Sequence, residues 1–144
     1  MSLDSMALSS TAAPSRLQHL ALWIVQLLLA AAFVLVGYTH AVAPIGVAIS
    51  RAPWVASLPV ALVRFIGVAE LIGAAGLVLP AATRIQPRLT ALAAVGLVTM
   101  MALAIPFHLV RGETKEIAIN VVLGSLAAFV AWCRARRASF VTGV

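Results

Sequence analysis

The chain has 144 residues, 63% of them hydrophobic and 10% charged, with a formal net charge of +6 and a mean hydropathy of +1.11. One domain of this size has too little interior to hide so many apolar side chains, so a water-soluble protein is excluded and lipid must be part of the solvent. The cations sit singly or in small groups at the ends of apolar runs, with no basic helical face, which fits orientation in a bilayer and not nucleic-acid binding.

Residues 1–16 are small and polar and read as a flexible N-terminal tail. They lack a basic n-region, and the apolar run that follows is too long for a cleavable signal peptide. The first span is expected over about Leu17–Tyr38. Gln26, Ala30, Phe33, Gly37 and His40 recur at helical spacing on one stripe, while Leu27, Leu28, Leu35 and Val36 fall elsewhere. Gln26 and His40 are therefore expected to look inward. Ala41–Ser57 is broken by Pro44, Gly46 and Pro53 but stays apolar, and is expected at the membrane interface or dipping into the bundle, with Trp54 at headgroup depth.

A second span is expected over about Leu58–Leu79, ending at Pro80, with Pro59 in its first turn. A short loop to Pro87 leads into a third span, Arg88–Leu109, where Pro106 disturbs the far end. Gly112 is the turn residue before the fourth span, Thr114–Trp132, on which Glu116, Asn120, Gly124 and Ala128 recur in four-residue steps. The 17–133 domain thus reads as an all-α integral membrane protein, a bundle of four transmembrane helices, with residues 134–144 as a basic C-terminal tail. Each span holds about 19–23 residues, enough to cross ~30 Å of hydrocarbon. One end of the bundle then carries Arg16, Arg84, Arg88, Arg134, Arg136 and Arg137 and the other Arg51, Arg111 and Lys115, which predicts both termini in the cytoplasm of a multi-pass cell-membrane protein.

The informative residues are the polar ones at depth. A charge at the bilayer centre costs at least ~2.5–3.5 kcal/mol, so it should face other helices, a partner or a water-filled pocket. Arg64 lies roughly 8 Å and Glu70 roughly 16 Å from the outer end of the second span, about 120° apart around the helix. His40, His108, Glu116 and Asn120 fall towards the same outer half, so that Glu70, Arg64, His40, His108 and Asn120 form a candidate ligand-binding pocket. Glu70 reads either as a proton-transfer or headgroup-binding group or as a carboxyl that fixes helix register. Arg64 either snorkels to the interface or pairs, and Asn120 suits an interhelical hydrogen bond. Cys133 is the one cysteine and excludes an internal disulfide. With no CxxC and with scattered histidines, neither a metal site nor a haem attachment is assigned, and no residue is assigned a catalytic role.

VGYTHAVAP, LVRFIGVAELIGAAGLVLPAATRI and HLVRGETKEIAINVVLGSLAAFVAW resemble the DoxX-like family of small four-helix membrane proteins over about residues 17–133. The most specific part is G-x-x-E-x-x-G, formed by Gly67, Glu70 and Gly73, followed by Pro80. Members often have a Lys near the end of the first span, where this chain has His40. The resemblance implies a four-helix bundle in the cytoplasmic membrane and a redox connection, since the family takes its name from a subunit of a thiosulfate:quinone oxidoreductase. The expected function is an accessory subunit of a membrane redox system with a polar pocket for a quinone, in contact with lipid, with a protein partner of a redox complex, or as a homo-oligomer. The alternative is a non-catalytic scaffold or chaperone-like protein that stabilises a membrane partner. Small-solute transport fits less well, because four spans without an inverted repeat make a poor alternating-access machine.

Overall fold

The computed structural model describes residues 16–86 and 88–141, with side chains to residue 136, and the expected N-terminal tail lies outside them. The described chain is helical throughout: α1 (Arg16–Ala41), α2 (Ile45–Arg51), α3 (Val60–Thr83), α4 (Arg88–Val110) and α5 (Thr114–Val141), with a 3-10 turn over Pro53–Ser57 between α2 and α3. Four of these helices are long and apolar enough to cross a membrane, over Arg16–Ala41, Val60–Thr83, Arg88–Val110 and Thr114–Arg136. α1 packs chiefly on α3 and α4 on α5, while α3 joins the pairs through α4 and α1 touches α5 more lightly. The chain is thus a four-helix membrane bundle. One end holds the α3–α4 turn and the start of α1 (the terminal end), and the other holds α2, the 3-10 turn and the α4–α5 turn (the connection end).

The distribution of side chains is that of a protein dissolved in lipid. Leu28, Leu35, Phe65, Ile72 and Leu103 are exposed, whereas Gln26, His40, Glu70, Thr90, His108 and Asn120 are buried. In hydrocarbon, apolar side chains gain nothing by turning inward, and polar groups find partners only there. The expected stripe on α1 holds, since Gln26, Ala30, Phe33, Gly37 and His40 are all buried. On α5 the four-residue pattern drifts: Asn120 is buried but Ala128 is exposed, and the inward face continues through Ala127, Val130 and Ala131. At 3.6 residues per turn a four-residue step overshoots by about 40°, so two such steps carry a side chain off the face.

Glycines set how closely the helices approach. A Cβ on Gly67 would stand 2.7 Å from the carbonyl carbon of His40, and one on Gly37 would stand 3.0 Å from the Gly67 oxygen. These two residues bring the α1 and α3 backbones into contact. On another face of α3, a Cβ on Gly76 would meet the Cβ of Ala93 at 2.6 Å, so that α4 is drawn in as well.

Three boundaries differ from expectation. α3 does not stop at Pro80 but runs to Thr83, and the chain turns at Arg84 with φ 60°. Proline there removes only its own N–H and so leaves the Gly76 carbonyl without its helical partner, one bond close to the end of the helix; one residue on, the carbonyl of Leu77 accepts a hydrogen bond from Nε2 of Gln26 on α1. α5 continues past residue 133 to Val141, so the basic C-terminal residues extend a helix. The 41–57 segment folds as α2 and the 3-10 turn over a small core of Ala48, Val55 and Val63.

Candidate functional site

The buried ionisable groups of α1 and α3 meet at the glycine crossing. Side chains lean toward the N-terminus of their own helix, and α1 and α3 run in opposite directions. His40, near the end of α1, therefore leans into the bundle, and Glu70 leans out toward the connection end. Nδ1 of His40 lies 2.9 Å from Oε2 of Glu70, with both side chains 5% exposed. Arg64 donates from a terminal guanidinium nitrogen to the backbone carbonyl of His40 at 2.8 Å. That carbonyl is one of the last of α1, without an N–H four residues on to satisfy it, and a cation there also suits the negative end of the helix dipole. Arg64 and Glu70, about 120° apart on α3, thus both hold His40, one by its backbone and one by its ring.

The pair keeps two polar atoms in reserve. Neither Nε2 of His40 nor Oε1 of Glu70 bonds to any described residue. In a low dielectric the pair is least costly with zero net charge. Two arrangements that satisfy it, a carboxylic acid donating from Oε2 to neutral imidazole and a carboxylate accepting from imidazolium, leave a proton on Nε2 and none on Oε1, whereas an acid proton on Oε1 reverses both roles. In every one of these arrangements the pair offers one donor and one acceptor, at Nε2 and Oε1.

His108 is kept from this pair by Trp54. The Trp54 ring makes edge-on contacts with His40 at 5.2 Å and with His108 at 5.5 Å between centroids. Trp54 is thus a wedge between the two histidines. Pro53, at the first position of the 3-10 turn, and buried Val55 fix the segment that carries it. Nδ1 of His108 takes Glu113 as its partner at 2.7 Å, and Arg111 donates from Nε to the other Glu113 oxygen at 2.8 Å. The His108 hydrogen bond holds the Glu113 carboxyl below its ordinary range, with the Arg111 hydrogen bond and the positive charge of Arg111 adding to it. Asn120 sits on the buried face of α5, and its Nδ2 has no hydrogen-bond partner among the described residues. An orphaned buried amide of this kind favours an incoming acceptor. Glu116 is half-buried, and no group of three His, Cys, Asp or Glu side chains suited to a metal occurs among the described residues.

The structure therefore joins His40, Glu70 and Arg64, sets His108 one aromatic ring away, and leaves Asn120 at the same end on α5. The Glu113–His108 pair was open to sequence reasoning, since the two lie five residues apart across a glycine turn. A second polar link, at the terminal end, was not: Nε of Arg134 donates to Oε1 of Gln26 at 2.7 Å, across 108 positions of sequence. Arg134 also stacks over Trp23 at 4.8 Å, tying α5 to α1.

Comparison with known proteins gives one family. The model of the DoxX-like family matches residues 24–130, about three-quarters of the chain, from the first turns of α1 to Val130 on α5. No curated protein matches, and no solved structure does. The match includes the glycine crossing, the His40–Glu70 pair and the wedge of Trp54, and on its extent the chain belongs to the DoxX-like family.

Proposed function

We propose that this bundle is an accessory subunit of a quinone-linked redox system in the cell membrane, and that it holds the polar head of a quinone at the His40–Glu70 pair. The observation that carries the reading is the unspent polar atoms of that pair, Nε2 of His40 and Oε1 of Glu70, held in the buried interior of the bundle. Nε2–H of His40 donates to a quinone oxygen, and Oε1 of Glu70 accepts from a hydroquinone hydroxyl. Arg64 positions the imidazole through the His40 backbone. The Nδ2 of Asn120 is a further donor at this end, and Trp54 limits access from water.

The test is mass spectrometry of the protein carried from its native membrane into lipid nanodiscs, wild type beside Glu70→Gln and His108→Ala. A quinone should accompany the wild type and be lost in Glu70→Gln, where the second oxygen becomes an amide donor or the imidazole contact is reversed. His108→Ala should keep it, because Trp54 separates that ring from the pair. A stoichiometric protein partner with no quinone in any sample would overturn the reading. That result would favour a scaffold, in which the His40–Glu70 bond only locks the register of α1 on α3.

A further inference from the structure

A groove of about 370 Å³ runs between α4 and α5 in the half of the bundle toward the terminal end, and none of its lining residues belongs to the His40–Glu70 pair. Ala91, Val95 and Val98 form one wall and Ala128, Ala131 and Trp132 the other, so its lining is apolar. It covers about two turns of each helix, roughly 10 Å along the axis. A partner transmembrane helix would need a continuous face of ~30 Å, which this trough lacks. Its length suits the upper part of a single acyl chain.

The mouth of the groove adds a charge. The guanidinium of Arg136 lies over the Trp132 ring at 4.2 Å, and its N–H groups make no hydrogen bond to any described residue. Stacking of this kind holds the planar group flat and leaves its edge donors directed outward, the geometry that suits phosphate oxygens. Arg136 lies one turn past Trp132, where the apolar run of α5 gives way to Arg134, Arg136 and Arg137, a sequence change that fits the boundary of the hydrocarbon where lipid phosphates sit. Arg88 stands one turn before Ala91 on the opposite wall. The described carboxylates, Glu70, Glu113 and Glu116, all lie at mid-depth or toward the other end.

We propose that this groove is a binding site for an anionic phospholipid, with one acyl chain against the alanine and valine walls and the phosphate on Arg136. The charge selects the headgroup, and the trough selects a chain over a bulky side chain. The site is independent of the quinone reading, because it shares no residue with the His40–Glu70 pair.

The full chain is reconstituted in nanodiscs with equal amounts of phosphatidylglycerol and phosphatidylcholine of identical chains, then released into mild detergent for native mass spectrometry. Retained phosphatidylglycerol should exceed phosphatidylcholine by about fivefold, the factor that one cation near a lipid surface supplies. Arg136→Gln should bring the ratio close to one. Ala128→Phe, at an exposed position on the wall, should fill the trough and reduce retention of both lipids without loss of helix content. Equal retention of the two lipids by the wild type, or a preference that neither variant changes, would overturn the proposal. So would a dimer that Ala128→Phe abolishes while lipid retention stays constant, since the groove would then seat a second copy.

Discussion

Gly67 shows how much of this site depends on one missing methyl group. The His40–Glu70 bond needs α1 and α3 in backbone contact, and a Cβ at Gly67 would press on the backbone of His40 and Ala41. Backbone cannot swing aside as a side chain end can, so the helices must part. Gly67→Ala should lower stability by about 1–3 kcal/mol, in the range of an overpacked core. Gly46→Ala is the matched control, because a Cβ there meets nothing within 4 Å. Unfolding of the two variants in mixed micelles against the wild type checks this, and equal midpoints for both would count against the tight crossing. At this scale the sequence was a good guide to which side chains are buried and a poor guide to their partners. The α1 stripe was legible because helix period alone assigns Gln26 and His40 to one face. That Arg134 reaches Gln26 was not, because the neighbour of a buried amide depends on the packing of a distant helix.

Helix ends and turns carry the next level of organisation. Gly112, with φ 69°, takes the left-handed conformation that ends α4, and the Glu113 N–H donates to the His108 carbonyl at 3.0 Å. The same Glu113 returns its carboxylate to the His108 ring, so backbone and side chain close one turn together. This gives the turn a pH dependence with a definite sign. The Glu113 carboxyl in the folded chain lies below its ordinary value of 4.5, so its contribution is complete above that value. As pH falls below 4.5 and through the lowered folded value, the carboxylate is protonated and the contribution is lost. Amide hydrogen exchange at the α4–α5 turn should therefore speed up on acidification through this window. Glu113→Gln, which cannot titrate, should exchange at a rate independent of pH there once the intrinsic chemical dependence is removed; an unchanged acid response in that variant would assign the effect to another group. Sequence signals were uneven for these elements. Gly112 marked its turn correctly because a glycine between two apolar helices has few other uses. Pro80 marked the end of α3 a turn too early, because a proline near the end of a helix removes only one hydrogen bond.

At the scale of the whole molecule, the four-span architecture was legible from hydropathy and length, since in lipid each span must satisfy its own backbone. Its orientation rests on charge alone. The structure gathers Arg16, Arg84, Arg88, Arg134 and Arg136 at the terminal end and Arg51, Arg111 and Lys115 at the other. At that other end Arg111 is bonded to Glu113 and stacked on Phe107 at 5.3 Å. Cations near the ends of spans are retained on the cytoplasmic side during insertion, so the terminal end should be cytoplasmic and both termini with it. A reporter that is active only in the cytoplasm, fused after Val144, should be active, and one that is active only across the membrane should be silent. The opposite pattern would reverse the bundle. It would also open the His40–Glu70 end to the cytoplasm, so that any proton reaching the pair past Trp54 would come from the cell interior. Neutralising Arg134 and Arg136 together should weaken the cytoplasmic signal of the fusion more than neutralising Arg111 strengthens it. Arg136 alone should not alter it, which keeps its effect on lipid retention separable from its share in orientation.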